Sequence, residues 1–168
     1  GESLRKHIRE LVGRWKDALG NATGDDPDAY LVEFLANTRF GAAINRWAPD
    51  LLEEVRGIAE GAGLDLTTAL AFQLVDEEWW YQHYRRIGRD GEGATATPRE
   101  HCSCLAAWNR DSGPPLLAQN MDVPDYYDGY QTLLRIRHPG SDLEALVFTA
   151  AGLIALNGLN SRGPGVCV

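Results

Sequence analysis

Apolar residues recur at helical spacing through the first half of the chain. The first set falls on one face at a spacing of about 3.6 residues and consists of Leu4, Ile8, Leu11, Val12, Trp15 and Leu19. Gly20 and the polar stretch 21–28 predict that this first helix stops there.

Three more helices are predicted before residue 88. Asp26 followed by Pro27 predicts the N-cap and first residue of the second helix, whose inward positions are Tyr30, Phe34 and Leu35, followed by Ile44 and Trp47. Pro49 predicts a third helix over 49–62 that ends at Gly61 or Gly63, with Leu51, Leu52, Val55 and Ile58 inward. A fourth helix, capped by Asp65 or Thr67, is predicted to run to about Arg86.

The pattern changes after this helical half. Residues 88–100 contain no large apolar side chain and are rich in Gly, Ala and Thr, which is typical of an exposed loop. Beyond them, two β-hairpins are predicted, pairing 102–108 with 115–120 and 132–137 with 143–149. Further strands are predicted over 153–156 and 166–168, separated by 158–165. Helices followed by strands predict an α+β fold.

The last predicted strand has barely begun at Val168. Because a strand needs a hydrogen-bonded neighbour, we expect about half of the natural protein to lie beyond Val168 or in another chain. The sequence thus predicts one incomplete domain, in which a helical region over 1–101 ends in an exposed loop over 88–101 and residues 102–168 form the first strands.

Composition excludes some partners. The net charge is −8, and a nucleic-acid partner is not expected because phosphate binding needs a basic surface. No run of about 18 apolar residues occurs, so no membrane partner is expected. The N-terminal residues lack the apolar core of a signal peptide, and a cytoplasmic location is therefore expected.

Cys102 is the best candidate for chemistry among the three cysteines. A hydrophilic loop runs directly into it, which suits self-cleavage. The thiolate would attack the carbonyl of His101, an N-to-S acyl shift would give a thioester, and water would release a new N-terminus. The freed α-amine, with an ordinary pKa of about 7.7–8.0, could serve as the base for its own thiol. The alternative is that Cys102 is an ordinary buried strand cysteine.

Other candidates are weaker. Residues 101–104 (HCSC) could supply ligands to a zinc site, but the usual spacing of zinc ligands is absent. Neither a metal nor another cofactor is therefore predicted. Cys104 is interpreted as a packed small residue and Cys167 as core. The rings of Tyr126 and Tyr127 could bind an acyl chain or a cationic amine, or could simply pack. The carboxylates at 76–78 are interpreted as helix surface and core.

Three blocks of sequence occur in an order that is typical of one family. They are CSCLAA from Cys102 followed by QNMD at 119–122, LLEEVRGIAEGAG at 51–63, and the glycine-rich segments 149–152 and 158–165. Over most of residues 30–168 the chain thus resembles the penicillin acyltransferase-like family of cysteine N-terminal nucleophile enzymes. Gln119, where the related bile salt hydrolases carry Arg, favours the acyltransferase-like branch.

The resemblance implies a fold and a site. The fold would be a four-layer αββα sandwich, truncated on its C-terminal side, with 1–101 as the propeptide-derived subunit and 102–168 as the start of the catalytic subunit. Cys102 would be cleavage point and nucleophile, and Asp122 would hydrogen-bond the new amine. Gln119 and Asn120 would shape the same site.

The implied activity is acyl transfer from an amide or thioester of a small molecule, through an acyl-Cys102 intermediate, to water or to an amine. Hydrolysis is weighted slightly above transfer. His101 stands where the penicillin enzyme has Gly, and the family's oxyanion-hole asparagine is expected just past Val168. The remainder of the catalytic subunit is therefore an expected partner. The alternative is an uncleaved, non-catalytic member that binds a ligand or partner through the same scaffold.

Overall fold

The computed structural model of the chain describes residues 1–90, 102–108 and 113–167. It divides into a helical unit, Gly1–Thr97, and a unit of strands, Pro98–Val168. The chain is therefore α+β, as the sequence predicts. No helix in the described part of the chain is both long and apolar enough to cross a membrane.

The helical unit consists of short helices joined by tight connections. A 3-10 turn over Glu2–Leu4 precedes α1 (Arg5–Thr23), α2 (Pro27–Asn37), α3 (Phe40–Trp47), α4 (Pro49–Ala62), α5 (Leu66–Phe72) and α6 (Val75–Asp90). The last helix continues past the predicted end at Arg86 and through residues 88–90, which the sequence assigned to a loop. The rest of that predicted loop, 91–101, lies outside the described residues.

The predicted helix starts are confirmed by their caps. The Asp26 carboxylate accepts a hydrogen bond from the backbone N–H of Ala29 at 2.9 Å, and Asp65 accepts one from Thr68 at 2.8 Å. Each bond satisfies a backbone donor that the first turn of a helix leaves unpaired. Pro49 opens α4 as predicted.

Helix α1 ends within the stretch 20–28 where the sequence predicted its stop, although it passes through Gly20. It runs to Thr23 and ends at Gly24, whose φ of 74° is in the left-handed region. The Gly24 backbone N–H donates to the Gly20 carbonyl at 2.9 Å, the αL termination that glycine accommodates best. An interior glycine costs about 1 kcal/mol relative to alanine, and the buried face of α1 outweighs that cost.

Two predicted helices are each broken into two. Thr38 adopts an extended backbone with φ −114° and ψ 166°, so α3 does not continue the apolar face of α2. As a result Trp47, predicted inward, is 76% exposed. The predicted helix from Asp65 to Arg86 is likewise interrupted between α5 and α6. Leu51 of α4 is also exposed instead of inward, whereas Leu52 and Val55 are buried.

The core of the helical unit is formed by large side chains from several helices. Trp15 of α1 and Phe72 of α5 are both 1% exposed, and their ring centroids lie 5.1 Å apart. Phe34 of α2 packs against Tyr81 of α6 at a centroid distance of 5.3 Å. Aromatic contacts therefore link the first helices along the chain to the last ones.

The second unit contains two antiparallel sheets. The first pairs β1 (Ser103–Ala107) with β2 (Leu116–Asn120), and the second has the order β3 (Gln131–Arg137), β4 (Glu144–Ala150), β5 (Asn157–Asn160) and β6 (Gly165–Val166). Both predicted hairpins are confirmed. The turn residues 109–112 of the first hairpin lie outside the described residues.

The strand predicted over 153–156 is wrong, and β5 forms directly after it. Gly152 has a φ of 98° and turns the chain after β4. Gly158 of β5 lies so close to β4 that a Cβ there would be 2.8 Å from the carbonyl oxygen of Leu146. Only glycine permits this approach, and the sequence Asn-Gly-Leu-Asn has no apolar alternation that predicts a strand.

The larger sheet carries apolar side chains on both faces, and one face also carries Arg135, Arg137 and Glu144 at one end. Its register places Leu133 opposite Phe148 and Leu146 opposite Leu159 on one face, here called the open face. Three of these four side chains are exposed, at 41–67%. The other face carries pairs such as Leu134 with Val147, which are half-buried. Apolar side chains on both faces of a sheet are typical of an inner layer that packs on both sides.

Candidate functional site

The register of the first hairpin brings the predicted site residues to one end. Ser103 pairs with Asn120 and Cys104 pairs with Gln119, so these Cα atoms are about 4.5–5.5 Å apart. Cys102 comes directly before β1, and Asp122 follows β2 by two residues. The hairpin therefore holds the candidate nucleophile beside the segment that the resemblance assigns to the same site.

The exposure of the cysteines corrects two predictions. Cys102 and Cys104 are both exposed and free, so Cys102 is not an ordinary buried strand cysteine and Cys104 is not a packed residue. Cys167, predicted as core, is half-buried. Asp122 is exposed as well, whereas His101, the residue before the predicted cleavage point, lies outside the described residues.

A cleft of about 1030 Å³ lies between the first hairpin and the larger sheet. Two close approaches fix the hairpin there. A Cβ at Gly165 would lie only 3.1 Å from a methyl carbon of Leu117, and Asn157 Nδ2 donates to Met121 Sδ at 3.2 Å. Met121 stands directly before Asp122, so the cleft begins next to the candidate site.

The cleft wall is uncharged among the described residues. It is made of apolar side chains together with neutral amide, hydroxyl and thiol groups. The candidates Gln119, Asn120 and Tyr127 line it, as does Cys167, whereas Cys102, Asp122 and Tyr126 do not. The structure thus brings three of the four predicted pocket residues to one cavity and places the candidate nucleophile outside its wall.

Tyr126 and Tyr127 differ in their roles within the fold. Both belong to a 3-10 turn, and their ring centroids lie 4.6 Å apart. Tyr127 is 6% exposed and lines the cleft, whereas Tyr126 is half-buried away from it. The position of Tyr127 is therefore compatible with both alternatives left open by the sequence, packing and ligand binding, since the ring packs and also contributes to the cleft wall.

Asn157 is the cleft residue that the sequence did not predict. Its Oδ1 is buried and has no hydrogen-bond partner, and its Nδ2 is bonded to a thioether, which is a weak acceptor. A buried amide oxygen without a partner costs about 1–3 kcal/mol. The only signal in the sequence was the position of Asn157 just before a glycine-rich block.

A second feature missed by the sequence lies in the helical unit. Glu78 is a carboxylate only 3% exposed, and the Tyr30 hydroxyl donates to it at 2.7 Å. Burial raises the pKa of Glu78, with the Tyr30 hydrogen bond and the Arg86 charge acting in the opposite direction. Burial, followed by the hydrogen bond to Glu78, raises the pKa of Tyr30.

The neighbouring arginine does not neutralise this carboxylate. Arg85 bonds to Asp25 at 2.7 Å and to Glu33 at 3.1 Å, and its guanidinium lies 5.3 Å from the centroid of the Tyr30 ring. Glu78 itself has no ion pair within the described part of the chain. Because a buried carboxylate with a single hydrogen bond is poorly compensated, burial disfavours the charged form of Glu78 relative to a carboxylate in water.

Glu78→Gln is therefore expected to stabilise the protein at neutral pH. A carboxyl whose pKa is raised on folding contributes stability that is complete below its unfolded pKa of about 4.5 and is lost as pH rises through the folded pKa. Glutamine keeps the oxygen that accepts from Tyr30 and removes the charge. We expect the free energy of unfolding to rise by about 1–3 kcal/mol at pH 7 and to change little at pH 4.

Urea unfolding of both proteins at the two pH values measures this difference. Glu77→Gln is the matched control, because Glu77 is the adjacent residue of α6 and is exposed. The control is expected to change stability by less than about 0.5 kcal/mol. A loss of stability in Glu78→Gln at pH 7 would mean that the charged form is the favoured one.

No group of three or more metal-ligating side chains occurs within residues 1–90, 102–108 and 113–167. No protein-family model matches the chain, and a search of curated proteins finds no match to it.

Proposed function

We propose that the chain is an autoproteolytic cysteine N-terminal nucleophile enzyme of the penicillin acyltransferase-like type, acting on an amide or thioester of a small molecule. The observation that carries the proposal is the hairpin register, which pairs Ser103 with Asn120 and so brings the exposed Cys102 to the hairpin end that the segment with Asp122 follows. This arrangement supports a thiol with access to solvent and a carboxylate on the neighbouring segment, while Gln119 and Asn120 of the same hairpin line an uncharged cleft.

The chemistry follows from the residue types. Attack of the Cys102 thiolate on the carbonyl carbon of His101 breaks the peptide bond after an N-to-S shift and thioester hydrolysis. The free α-amine then takes the thiol proton during attack on the substrate carbonyl and returns it to the leaving group. Asp122 accepts a hydrogen bond from the charged amine and orients it. Water or an amine finally removes the acyl group from Cys102.

The four-layer αββα arrangement belongs to the same proposal. The larger sheet supports it, because the sheet presents Leu133 and Phe148 on one face and Leu134 and Val147 on the other. An inner sheet of a sandwich needs apolar side chains on both sides. In such a fold the open face would pack against a second sheet.

A non-catalytic ligand-binding protein is the second candidate. Its support is the position of Cys102 outside the cleft wall, since a cleft can bind a ligand without any reaction at a neighbouring thiol. The two candidates differ in the reactivity of Cys102, which is ordinary in a binding protein and raised in a nucleophile.

Alkylation rates separate these candidates. In the full-length protein at pH 7, iodoacetamide is expected to modify Cys102 at least about 10-fold faster than Cys104, because an activated thiol has more thiolate. Cys104 is the internal control, since it is exposed and lies two residues away on the same hairpin. Peptide fragmentation by mass spectrometry assigns each modified cysteine. Equal and slow rates would favour the binding protein.

A further inference from the structure

Cys102 and Cys104 are two free thiols separated by a single residue, Ser103. Successive side chains of an extended chain point to opposite faces, so residues two apart point to the same face. Ser103 and Cys104 belong to β1 and pair with Asn120 and Gln119, and the extended chain there places both thiols on one side of the hairpin. Because only Ser103 separates the two cysteines, they remain neighbours whatever else packs on the hairpin.

The spacing of the two cysteines suits a disulfide after a local change at Cys102. A disulfide joins Cα atoms about 4.4–6.8 Å apart and Cβ atoms about 3.5–4.5 Å apart. Residues two apart in a strand have Cα atoms about 6.4–6.8 Å apart, so Cys102 has to turn towards Cys104. Strand β1 begins at Ser103, and Cys102 therefore lies outside the strand and can turn while the pairing of β1 with β2 is kept.

The reactivity of the two thiols assigns them different roles in such a bond. A thiolate reacts with a hydroperoxide to a sulfenic acid, which either condenses with a neighbouring thiol or is oxidised further to a sulfinic acid that thiols do not reduce. Cysteines that are oxidised reversibly are accessible to solvent and often stand next to a second, resolving cysteine. Cys102 is exposed and is the proposed nucleophile, and Cys104 stands in the position of a resolving cysteine.

We propose that Cys102 and Cys104 form a reversible disulfide that inactivates the nucleophile in the presence of hydroperoxides and protects it from irreversible oxidation. The inference rests on the proposed function, because the thiol that it regulates is the nucleophile assigned there. It adds a role for Cys104, which takes no part in acyl transfer.

The oxidation takes place in two steps. The Cys102 thiolate attacks the terminal oxygen of the hydroperoxide, so that an S–O bond forms, the O–O bond breaks, and the released alkoxide or hydroxide takes a proton from water. The sulfur is oxidised and the peroxide reduced by two electrons. The Cys104 sulfur then attacks the Cys102 sulfur, so that the S–S bond forms, the S–O bond breaks, and hydroxide leaves as water with the Cys104 proton. A dithiol reductant supplies two electrons and two protons to restore both thiols and becomes a disulfide itself.

Peptide mapping of the full-length protein tests this disulfide. Reduced protein is treated with a small excess of hydrogen peroxide, remaining thiols are blocked with iodoacetamide, and the digest is analysed by mass spectrometry. We expect a peptide in which Cys102 and Cys104 have together lost two hydrogens and carry no alkyl group, and we expect dithiothreitol to restore both thiols.

Cys104→Ser removes the resolving thiol and keeps the size of the side chain. After prolonged peroxide treatment, the fraction of Cys102 thiol that dithiothreitol recovers should fall at least about 10-fold in this variant, because the sulfinic acid forms instead of the disulfide. Cys167→Ser is the matched control, since Cys167 is the remaining cysteine of the chain, and it should behave like the parent.

Three results would overturn the inference. They are a Cys104 that iodoacetamide still alkylates after peroxide treatment, a disulfide that joins Cys102 to Cys167 instead, and equal recovery of Cys102 in Cys104→Ser and the parent. If Cys104→Ser does not fold, the peptide map of the parent still decides. The same peptides show whether residue 102 is an N-terminus, so failure of the proposed function is seen as an uncut chain and failure of this inference as two cysteines that are never joined.

Discussion

Full-length protein carrying Cys102→Ala is expected to remain one chain and to lose acyl-amide hydrolysis by about 10⁴-fold or more. Alanine removes the sulfur that attacks the carbonyl of His101, so neither the thioester nor the new N-terminus forms. Without that N-terminus the α-amine that serves as base is absent too. One substitution therefore removes the nucleophile and its activation together, which makes this the largest effect on activity that we predict.

Intact mass spectrometry measures the cleavage, and release of amine from a panel of acyl amides measures the activity. Cys104→Ala is the matched control, because Cys104 is also exposed and lies two residues after Cys102 in β1, and this variant is expected to be cut and active. A cut between residues 101 and 102 in Cys102→Ala would contradict the mechanism. If the unaltered protein also stays whole, the ligand-binding interpretation becomes the better one.

The sequence predicted the hairpin that carries the candidate site because that hairpin is local. Two short apolar runs on either side of the polar turn 109–113 are sufficient to predict the pairing of 102–108 with 115–120. Once the pairing is known, Ser103 must lie near Asn120 and Cys102 near Met121, the residue before Asp122. The neighbourhood of the candidate nucleophile thus follows from strand order and register alone.

The sequence could not predict features that depend on distant contacts. Strand β5 pairs with β4 only because Gly158 permits a close backbone approach, so Asn157 could not be assigned to a cleft. Glu78 is buried because Tyr30, 48 residues earlier along the chain, supplies a hydroxyl. In both cases the deciding partner lies on another element, and local periodicity contains no information about it.

Helix boundaries show the same limit within the apolar pattern. Trp15 and Trp47 both occupy positions that the spacing assigns to an inward face, yet Trp15 is 1% exposed and Trp47 is 76% exposed. The difference arises at Thr38, whose extended backbone ends α2. A change of helix direction there alters which side of α3 faces the core. The residue pattern of α3 alone does not predict that change.

Trp15→Ala is consequently expected to destabilise the protein by about 3–5 kcal/mol, whereas Trp47→Ala should change its stability by less than about 0.5 kcal/mol. The first substitution leaves a cavity where the indole packed 5.1 Å from the Phe72 ring. The second removes a side chain that contacts Arg46 at the surface, with the guanidinium 4.8 Å from the ring centroid. The two variants delete the same atoms and differ only in burial.

Urea unfolding followed by far-ultraviolet circular dichroism measures both variants without relying on tryptophan fluorescence. Trp15→Phe retains an aromatic ring against Phe72 and should fall between the parent and Trp15→Ala, which covers the case in which the alanine variant is too unstable to study. Equal losses in Trp15→Ala and Trp47→Ala would place Trp47 in a buried contact. That result would mean that α2 and α3 share one continuous apolar face, as the sequence predicted, and that the chain does not change direction at Thr38.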